Sequence, residues 1–360
     1  MRSIAGLVIC SGFLASCGGG GGDAGGPPQV QLLAINSSNQ QAVGRATATA
    51  MTSLVGAGGG IAGSSSTTGT ASAMALPTAT SGYRGGSLNS LAMLMVRSAT
   101  GTIDGRRSAL SARVSGGAAR AQTVGSLQTQ CSVSGSVTLS VSDADNSGTP
   151  SVGDTMTLTF SQCRETATDS LDGAMAIKLT QLSIVNDAVA SLAGTLSMQH
   201  LSATDGVRTA LLDGSLSMAF SQLSASEGRT QLTVGSSGLG ASVSGGGVSD
   251  AVSFEPGFAL DMTETMSTTI GGVDTSTATL TGGFSATSIA GRVVLETSVP
   301  VLQWATEAYP RSGTVRVVGN ASALRLQALS ATTVRIELDG NLDGTYELST
   351  DLPWTTLLPG

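Results

Sequence analysis

The feature that most constrains this chain is the regular alternation of apolar and small polar residues that begins at Cys131. In the run CSVSGSVTLSV, the apolar side chains of Val137, Leu139 and Val141 are separated by Ser or Thr. A second run, TMTLTFSQC, places Met, Leu and Phe at every other position. Such alternation sends consecutive side chains to opposite faces and is typical of β-strands with one buried face.

Alternating runs recur to the end of the chain, among them FALDMTETMSTT, GRVVLETSV and TVRIELDG. Turn-forming residues separate them about every ten positions. This spacing predicts a mainly β protein, built as a large antiparallel β-meander. The meander is expected to form either a sandwich or a curved, barrel-like sheet.

Three segments in the middle of the chain resemble one another: LDGAMAIKLTQLSI, LAGTLSMQHLSAT and LDGSLSMAFSQLSAS. Each has a glycine, an alternating apolar core and a Leu-Ser end. The glycines Gly173, Gly194 and Gly214 lie about 20 residues apart. We expect two strands with their turns to fill each period, as successive hairpins of a meander.

The N-terminal region has a different pattern. Residues 35–55 are predicted to form one amphipathic helix, because Ser38 and Gln41 have the spacing of a capping box. The apolar face of this helix is predicted to consist of Val43, Ala46, Ala50, Met51 and Leu54. A second short helix is predicted at residues 87–97.

The first residues have the layout of a secretory signal peptide. Arg2 precedes the apolar run IAGLVICSGFLA, which is too short to cross a bilayer as a helix. The next residues, LASC, resemble the lipobox of bacterial lipoproteins, in which small residues precede a cysteine. By this resemblance Cys17 becomes the first residue of the mature chain and is diacylated, with palmitate as an expected acyl chain.

The run GGGGGDAGGPP after Cys17 has the composition of a flexible spacer. Gly18 stands where an aspartate tends to retain lipoproteins of enteric bacteria in the inner membrane. The resemblance therefore implies the outer membrane, on its periplasmic or its cell-surface face. The chain is accordingly divided into a signal peptide (1–16), a lipidated cysteine with its tether (17–28), a helical and low-complexity region (29–130) and an antiparallel β domain (131–360).

Two cysteines remain for a disulfide. Cys10 would leave with the signal peptide and Cys17 would carry lipid, so Cys131 and Cys163 are expected to pair in an oxidising compartment.

A hairpin register symmetric about Ser147 would place the two paired cysteines opposite each other. In that register Leu139 would face Thr155, whereas Leu158 and Phe160 would lie on the other face. Either both faces of the hairpin are buried or a β-bulge shifts the register.

The segment SDADNSGTPSVGDT between these strands has the ligand spacing of a calcium-binding loop. EF-hand-type loops place oxygen ligands at positions 1, 3, 5, 7, 9 and 12, with a glycine at position 6 for the sharp turn. Counted from Asp143, the glycine is Gly148. The predicted ligands are Asp143, Asp145, Ser147, Thr149 through its backbone carbonyl, Ser151 and Asp154.

The departures from an EF-hand are the aspartate at position 12 and the flanking strands, so the segment resembles isolated calcium loops of extracellular proteins. A polar hairpin turn without a metal is the alternative, because Asp, Ser and Gly also favour turns.

A second candidate is LDGNLDGTYELSTD, with Gly344 at position 6. Its predicted ligands, at positions 1, 3, 5, 7 and 9, are Asp339, Asn341, Asp343, Thr345 and Glu347. Position 12 is Thr350, and Asp351 comes one residue late. Calcium would be held with the weak affinity of extracellular modules, about 10⁻⁴–10⁻³ M, in a structural role.

The sequence offers little for catalysis. Its one histidine, His200, lies in a strand-like run, and no G-x-S-x-G elbow is present. One histidine and two paired cysteines do not supply a zinc site. From Cys131 onward, 22 acidic residues outnumber nine basic ones, which argues against nucleic-acid binding.

The mature region resembles the uncharacterised envelope lipoproteins of Gram-negative bacteria, a resemblance that implies no activity. We expect a structural or binding protein without catalytic activity, which contacts the membrane through its lipid anchor and has calcium as its candidate cofactor. A carrier or chaperone for lipid or another apolar ligand is one alternative, and it would show a large concavity lined by Leu, Met and Val. An envelope hydrolase that uses carboxylates is another, and it would gather Asp and Glu in a cleft.

Overall fold

The computed structural model describes residues 31–58, 122–164, 166–185, 188–245, 248–269 and 272–358. The predicted signal peptide, the lipidation site Cys17, its tether and the helix predicted at residues 87–97 lie outside the described residues. Within them, no helix is long and apolar enough to cross a membrane.

The described residues form one antiparallel sheet of 15 strands, which confirms the predicted mainly β fold. The strands are β1 (Gln122–Gln130), β2 (Ser134–Asp143), β3 (Thr155–Arg164), β4 (Ser170–Val185), β5 (Ala188–Thr204), β6 (Arg208–Ser224), β7 (Glu227–Gly245), β8 (Val248–Phe254), β9 (Ala259–Thr265), β10 (Thr275–Ala286), β11 (Gly291–Trp304), β12 (Ser312–Gly319), β13 (Ser322–Ser330), β14 (Thr333–Asp339) and β15 (Leu348–Pro353). Two helices accompany the sheet in this part of the chain: α1 (Gln40–Gly58) and α2 (Trp354–Leu357).

Strand order in the sheet follows the order in the sequence, so the sheet is a meander. β8 and β9 are the exception, because they lie end to end between the same two neighbours, β7 and β10. The chain turns between them at residues 255–258, where Phe254 and Phe258 meet edge to face with ring centroids 5.0 Å apart. Both rings also pack near Phe284 of β10.

Alternate residues of the strands point into one shared core. In β2 and β3, Leu139, Val141, Met156 and Leu158 are buried, whereas the Ser and Thr residues between them are partly or fully exposed. Burying a side chain of this size stabilises a fold by about 1.5–3 kcal/mol relative to leaving it exposed. The alternation that predicts the strands therefore also assigns one face of the sheet to the core.

The helix α1 packs against this core and contacts β7, β9, β10, β13 and β14. The five residues predicted to form its apolar face, Val43, Ala46, Ala50, Met51 and Leu54, are all buried. Thr47 and Ala48, which lie beside that face, are buried as well, and the Thr47 hydroxyl donates to the carbonyl of Val43 at 2.8 Å. The helix is therefore enclosed over a wider arc than an amphipathic surface helix would be.

The start of this helical segment is capped by asparagines. The Asn36 side chain accepts a hydrogen bond from the N–H of Ser38 at 2.9 Å, and the Asn39 side chain accepts one from the N–H of Asn36 at 2.8 Å. This reciprocal arrangement is that of a capping box. Its members are thus Asn36 and Asn39, two residues before the predicted pair Ser38 and Gln41.

The described residues form one compact unit. β1 comes before residue 131 in the chain, and α1 packs on the sheet. The first strand was missed because QTVGSLQTQ lacks the regular apolar alternation of the later strands.

The repeat of about 20 residues corresponds to one long strand per period, so the prediction of two strands per period is wrong. β4, β5 and β6 have 16, 17 and 17 residues, each with one repeat glycine. Gly173 has a φ of 103°, and a Cβ there would lie 2.2 Å from the carbonyl oxygen of His200. The register shifts next to this glycine, so the strand bends there and continues.

The β2–β3 hairpin does not have the symmetric register. Leu139 lies opposite Leu158 and Val141 opposite Met156, three positions away from the symmetric register. The register shifts between Ser134 and Ser136. The structure contains a bulge, but it shifts the register by one residue at the base of the hairpin, whereas the pairs from Ser136 to Ser142 already place apolar residues opposite each other on one buried face.

The disulfide between Cys131 and Cys163 closes the base of this hairpin, which confirms the predicted pairing. The Cα atoms are 5.5 Å apart and both cysteines are buried. In the chain-entropy model a loop of this size contributes about 3–4 kcal/mol to stability.

Candidate metal centre

The first acidic loop connects β2 to β3 at the tip of the disulfide-closed hairpin. Asp143 is the last residue of β2, and Asp154 directly precedes β3. Asp143 and Asp154 are 1% and 0% exposed, whereas Asp145 is exposed. Carboxylate oxygens of all three lie within 4.8 Å of one another, so the structure brings these predicted ligands together.

The loop curls around the carboxylate of Asp143. Its two oxygens accept hydrogen bonds from the N–H groups of Ser147 at 3.3 Å and Gly148 at 2.8 Å. Asn146 and Gly148 have positive φ angles of 55° and 71°, a conformation that asparagine and glycine adopt more readily than other residues. The sequence N-S-G thus allows the backbone to turn its N–H groups toward the buried acid.

Asp154 closes the loop from its other end. Its carboxylate accepts hydrogen bonds from the N–H of Ala144 at 2.8 Å and the N–H of Ser151 at 2.7 Å. Its backbone carbonyl also accepts the N–H of Leu179 in β4 at 2.9 Å. The loop is therefore fixed to the neighbouring strand as well as to the hairpin that carries it.

Asp145 is the exposed member of the cluster. It accepts hydrogen bonds from the N–H of Ser147 at 3.0 Å and from the hydroxyl of Ser151 at 3.0 Å. The pKa of Asp145 falls from its ordinary value of 3.8 to about 2, chiefly because hydrogen bonds from Ser147 stabilise the charged form. This carboxylate is consequently ionised at neutral pH.

The hydroxyl groups among the predicted ligands belong to the same network. Ser147 donates its hydroxyl to the backbone carbonyl of Thr149 at 2.8 Å, and Ser151 donates to Asp145. The carbonyl of Thr149 is the group predicted to bind the ion at position 7. A bound cation would replace these hydroxyl protons as the partner of the loop oxygens.

The second acidic loop connects β14 to β15 and is built around a buried aspartate in the same way. Asp339 is 1% exposed and accepts the N–H of Asp343 at 3.2 Å and the N–H of Gly344 at 2.9 Å. Leu342 and Gly344 have positive φ angles of 62° and 90°. Carboxylate oxygens of Asp339, Asp343 and Glu347 lie within 4.8 Å of one another.

The hydrogen bonds of the two loops match position by position. In both, the side chain at position 1 accepts from the N–H groups of positions 5 and 6, and the side chain at position 3 accepts from the N–H of position 5. The side chain at position 5 in turn accepts from the N–H of position 7. Two segments with different sequences thus adopt the same turn geometry in one protein.

The loops differ in how they are closed. In the second loop, Glu347 accepts the N–H of Gly340 at 2.9 Å, which is the role that Asp154 has toward Ala144 in the first loop. Glu347 therefore takes the place of the carboxylate at position 12. The residue counted at that position, Thr350, lies instead in β15 opposite Ile336.

This substitution was not predicted from the sequence. The signal that could have revealed it is a long acidic side chain only three residues after Gly344, which can reach back across a shorter loop.

The negative charges of the two acidic loops are not balanced by ion pairs with basic residues among the described residues. None of the ion pairs of the described residues includes any of the six clustered carboxylates, Asp143, Asp145, Asp154, Asp339, Asp343 and Glu347. Burying carboxylates without an opposite charge is costly. A hard cation such as Ca²⁺, which takes six to eight oxygen ligands, fits this donor set.

His200 lies apart from both loops. It is strongly exposed, has a φ of 48°, and its Nδ1 is 3.4 Å from the carboxylate of Asp213. Among the described residues, the groups of three or more metal-ligating side chains are the two acidic loops, and His200 belongs to neither.

A shallow, open groove of about 450 Å³ crosses β6, β7, β8 and β10. Small residues such as Gly240, Ala251 and Ser253 line it, and Asp213 lies on its wall. The sequence analysis did not predict this groove, because it depends on which small residues become neighbours across strands.

Comparison with protein-family models, curated proteins and solved structures finds no match for this chain. Its function must therefore be inferred from its own residues.

Proposed function

We propose that this protein is a lipid-anchored structural or binding protein of the bacterial outer membrane, without catalytic activity, whose sheet is stabilised by calcium. The observation that carries the calcium proposal is the pair of matching acidic loops, each built around a buried aspartate with no basic partner among the described residues. The acidic clusters lie at hairpin turns, as a structural role requires, and not in a cleft, as a hydrolase would require.

The positions of the loops indicate what calcium would do. One loop joins β2 to β3, next to the edge strand β1, and the other joins β14 to the edge strand β15. An ion bound by carboxylates from both ends of a turn resists the separation of the two strands. Calcium would thus hold the hairpins near both ends of the sheet, where strands have the fewest neighbours.

The groove differs from the concavity expected of a carrier, because Gly, Ala and Ser dominate its lining where Leu, Met and Val were expected. The lipid anchor is supported by the sequence LASC at Cys17, which lies outside the described residues.

The calcium proposal predicts a change in thermal stability. At 5 mM calcium and the weak affinity expected of such loops, each site stabilises the folded state by about 1–2 kcal/mol. We expect the melting temperature to rise by about 2–5 °C from chelator to calcium. Circular dichroism or differential scanning calorimetry of the purified protein would measure this rise.

Variants locate the effect. Asp143→Asn and Asp339→Asn should each remove part of the calcium response, and the double variant should remove it entirely. Asp205→Asn is the matched control, because Asp205 also accepts backbone N–H groups at a turn, from Val207 and Arg208, but belongs to neither cluster. A wild-type melting temperature that is the same in chelator and in calcium would refute the proposal.

The anchor is tested separately. We expect the wild-type protein to partition into the detergent phase of Triton X-114 and to carry acyl chains detectable by mass spectrometry. Cys17→Ser should move the protein to the aqueous phase, whereas Cys10→Ser, a change within the signal peptide, should not. If the Cys17→Ser protein stays in the detergent phase and keeps its acyl chains, the anchor is not at Cys17.

A further inference from the structure

The two edge strands of the sheet are unequally protected. β1 pairs with β2 and β15 pairs with β14, and within the described residues neither has a second partner strand. An edge strand presents N–H and C=O groups that another chain can pair with, and soluble proteins normally block such edges.

β15 carries several of the usual protections. It has only six residues, and it ends at Pro353, which has no N–H to donate. Asp351 places a charge on it, paired with Arg335 of β14 at 2.6 Å. The chain then turns directly into α2, where Trp354 is buried.

In the part of the chain that the structure describes, β1 has none of these protections. Its nine residues, QTVGSLQTQ, include no charged residue and no proline. From Gly125 to Gln130 it pairs with β2 in an unbroken register, so its free edge is regular over these six positions. Ser126, Gln128 and Thr129 are exposed on this stretch.

We infer that β1 is a self-association surface, along which two copies of the chain pair antiparallel to form one continuous sheet. An antiparallel pair of identical strands is related by a two-fold axis, so each strand is its own complement. Ser, Thr and Gln suit such pairing because each both donates and accepts hydrogen bonds and can face a copy of itself. The absence of charge on β1 lets two copies meet without like-charge contact, although each chain carries a net charge of −7.

The size of the contact sets the expected strength. Six regular residues on each side bury less area than a standard stable interface, so the dimer is weak and depends on concentration. We expect it to be populated at about 100 µM and largely dissociated at about 1 µM, as for transient interfaces.

Sedimentation velocity of the Cys17→Ser chain, which keeps every described residue, tests this inference over that range. Ser126→Lys with Gln130→Lys should abolish the dimer, and so should Ser126→Glu with Gln130→Glu, because these exposed residues lie on one face and opposite each other when the two-fold axis passes residue 128, so that like charges meet. A 1:1 mixture of these two variants should restore the dimer. Ser349→Lys on β15 is the matched control and should leave dimerisation unchanged.

A second measurement does not depend on any variant. Backbone amides of residues 125–130 should exchange hydrogen more slowly at about 100 µM than at about 1 µM, while those of β15 should not change. The inference is overturned if the wild-type chain stays monomeric at the high concentration, if both charge variants dimerise as the wild type does, or if the mixture of the folded variants stays monomeric. It is likewise overturned if Ser349→Lys is the change that removes the dimer.

Discussion

Asp145 is the residue whose protonation should be easiest to follow, because its carboxylate is exposed and its pKa is lowered to about 2. A carboxylate with a lowered pKa in the folded state stabilises that state above its ordinary pKa of 3.8. That contribution is lost as the pH falls through the folded-state value. In calcium-free buffer, we therefore expect the melting temperature of the wild-type protein to fall between about pH 4 and pH 2.

Asp145→Asn should show a smaller fall over the same pH range, because the amide does not titrate. Asp261, Asp343 and Asp351 also have lowered pKa values, so part of the fall should remain. An Asp145→Asn profile that parallels the wild type would show that the loop makes no such contribution.

The sequence identifies the acidic residues of both loops because their spacing follows oxygen ligands around one ion. It does not identify Glu347 as the closing carboxylate, since that role depends on the reach of a side chain and not on a count of positions. The left-handed backbone of Leu342 could not be predicted from the sequence either, because leucine disfavours that conformation. It is explained by the first loop, where Asn146 has the same left-handed backbone at the matching position.

Among the elements, the β2–β3 hairpin contains a glycine whose replacement would cause a steric overlap. Gly135 has a φ of 77°, and a Cβ there would lie 2.1 Å from the carbonyl oxygen of Gln162. Gly257 has a similar φ of 86°, but no atom lies within 4 Å of the place where its Cβ would be. Alanine substitutions at these two glycines therefore distinguish the cost of a left-handed backbone, which both share, from the cost of steric overlap, which only Gly135 has.

Gly135→Ala should reduce the free energy of unfolding by about 3 kcal/mol or more, because the bulge must rearrange to relieve the overlap. Gly257→Ala should cost only about 1–2 kcal/mol, the penalty of a left-handed alanine. Urea denaturation of the two variants measures the difference. Equal losses would mean that close packing at the bulge does not matter.

Alternation predicts the strands well, because each strand buries one face. The bulges were not predicted in position, since a shift of register becomes favourable only when the neighbouring strand is known. β1 was not predicted at all, because its sequence, QTVGSLQTQ, lacks the apolar alternation of the later strands.

In the whole molecule, the strand order could be predicted as a meander because short turns join successive antiparallel strands. The enclosure of α1 could not, because it depends on strands as distant in sequence as β7 and β14 packing on one helix. The same long-range arrangement places one acidic loop near each end of the sheet.

The number of calcium ions held per chain is the sharpest check on the proposed role of these loops. Isothermal titration calorimetry of the chelator-treated protein should give two ions per chain, one for each cluster. The stoichiometry should fall to one in Asp143→Asn or Asp339→Asn and to none in the double variant. Absence of binding by the wild type at millimolar calcium, or a stoichiometry unchanged in the double variant, would contradict calcium binding by the two loops.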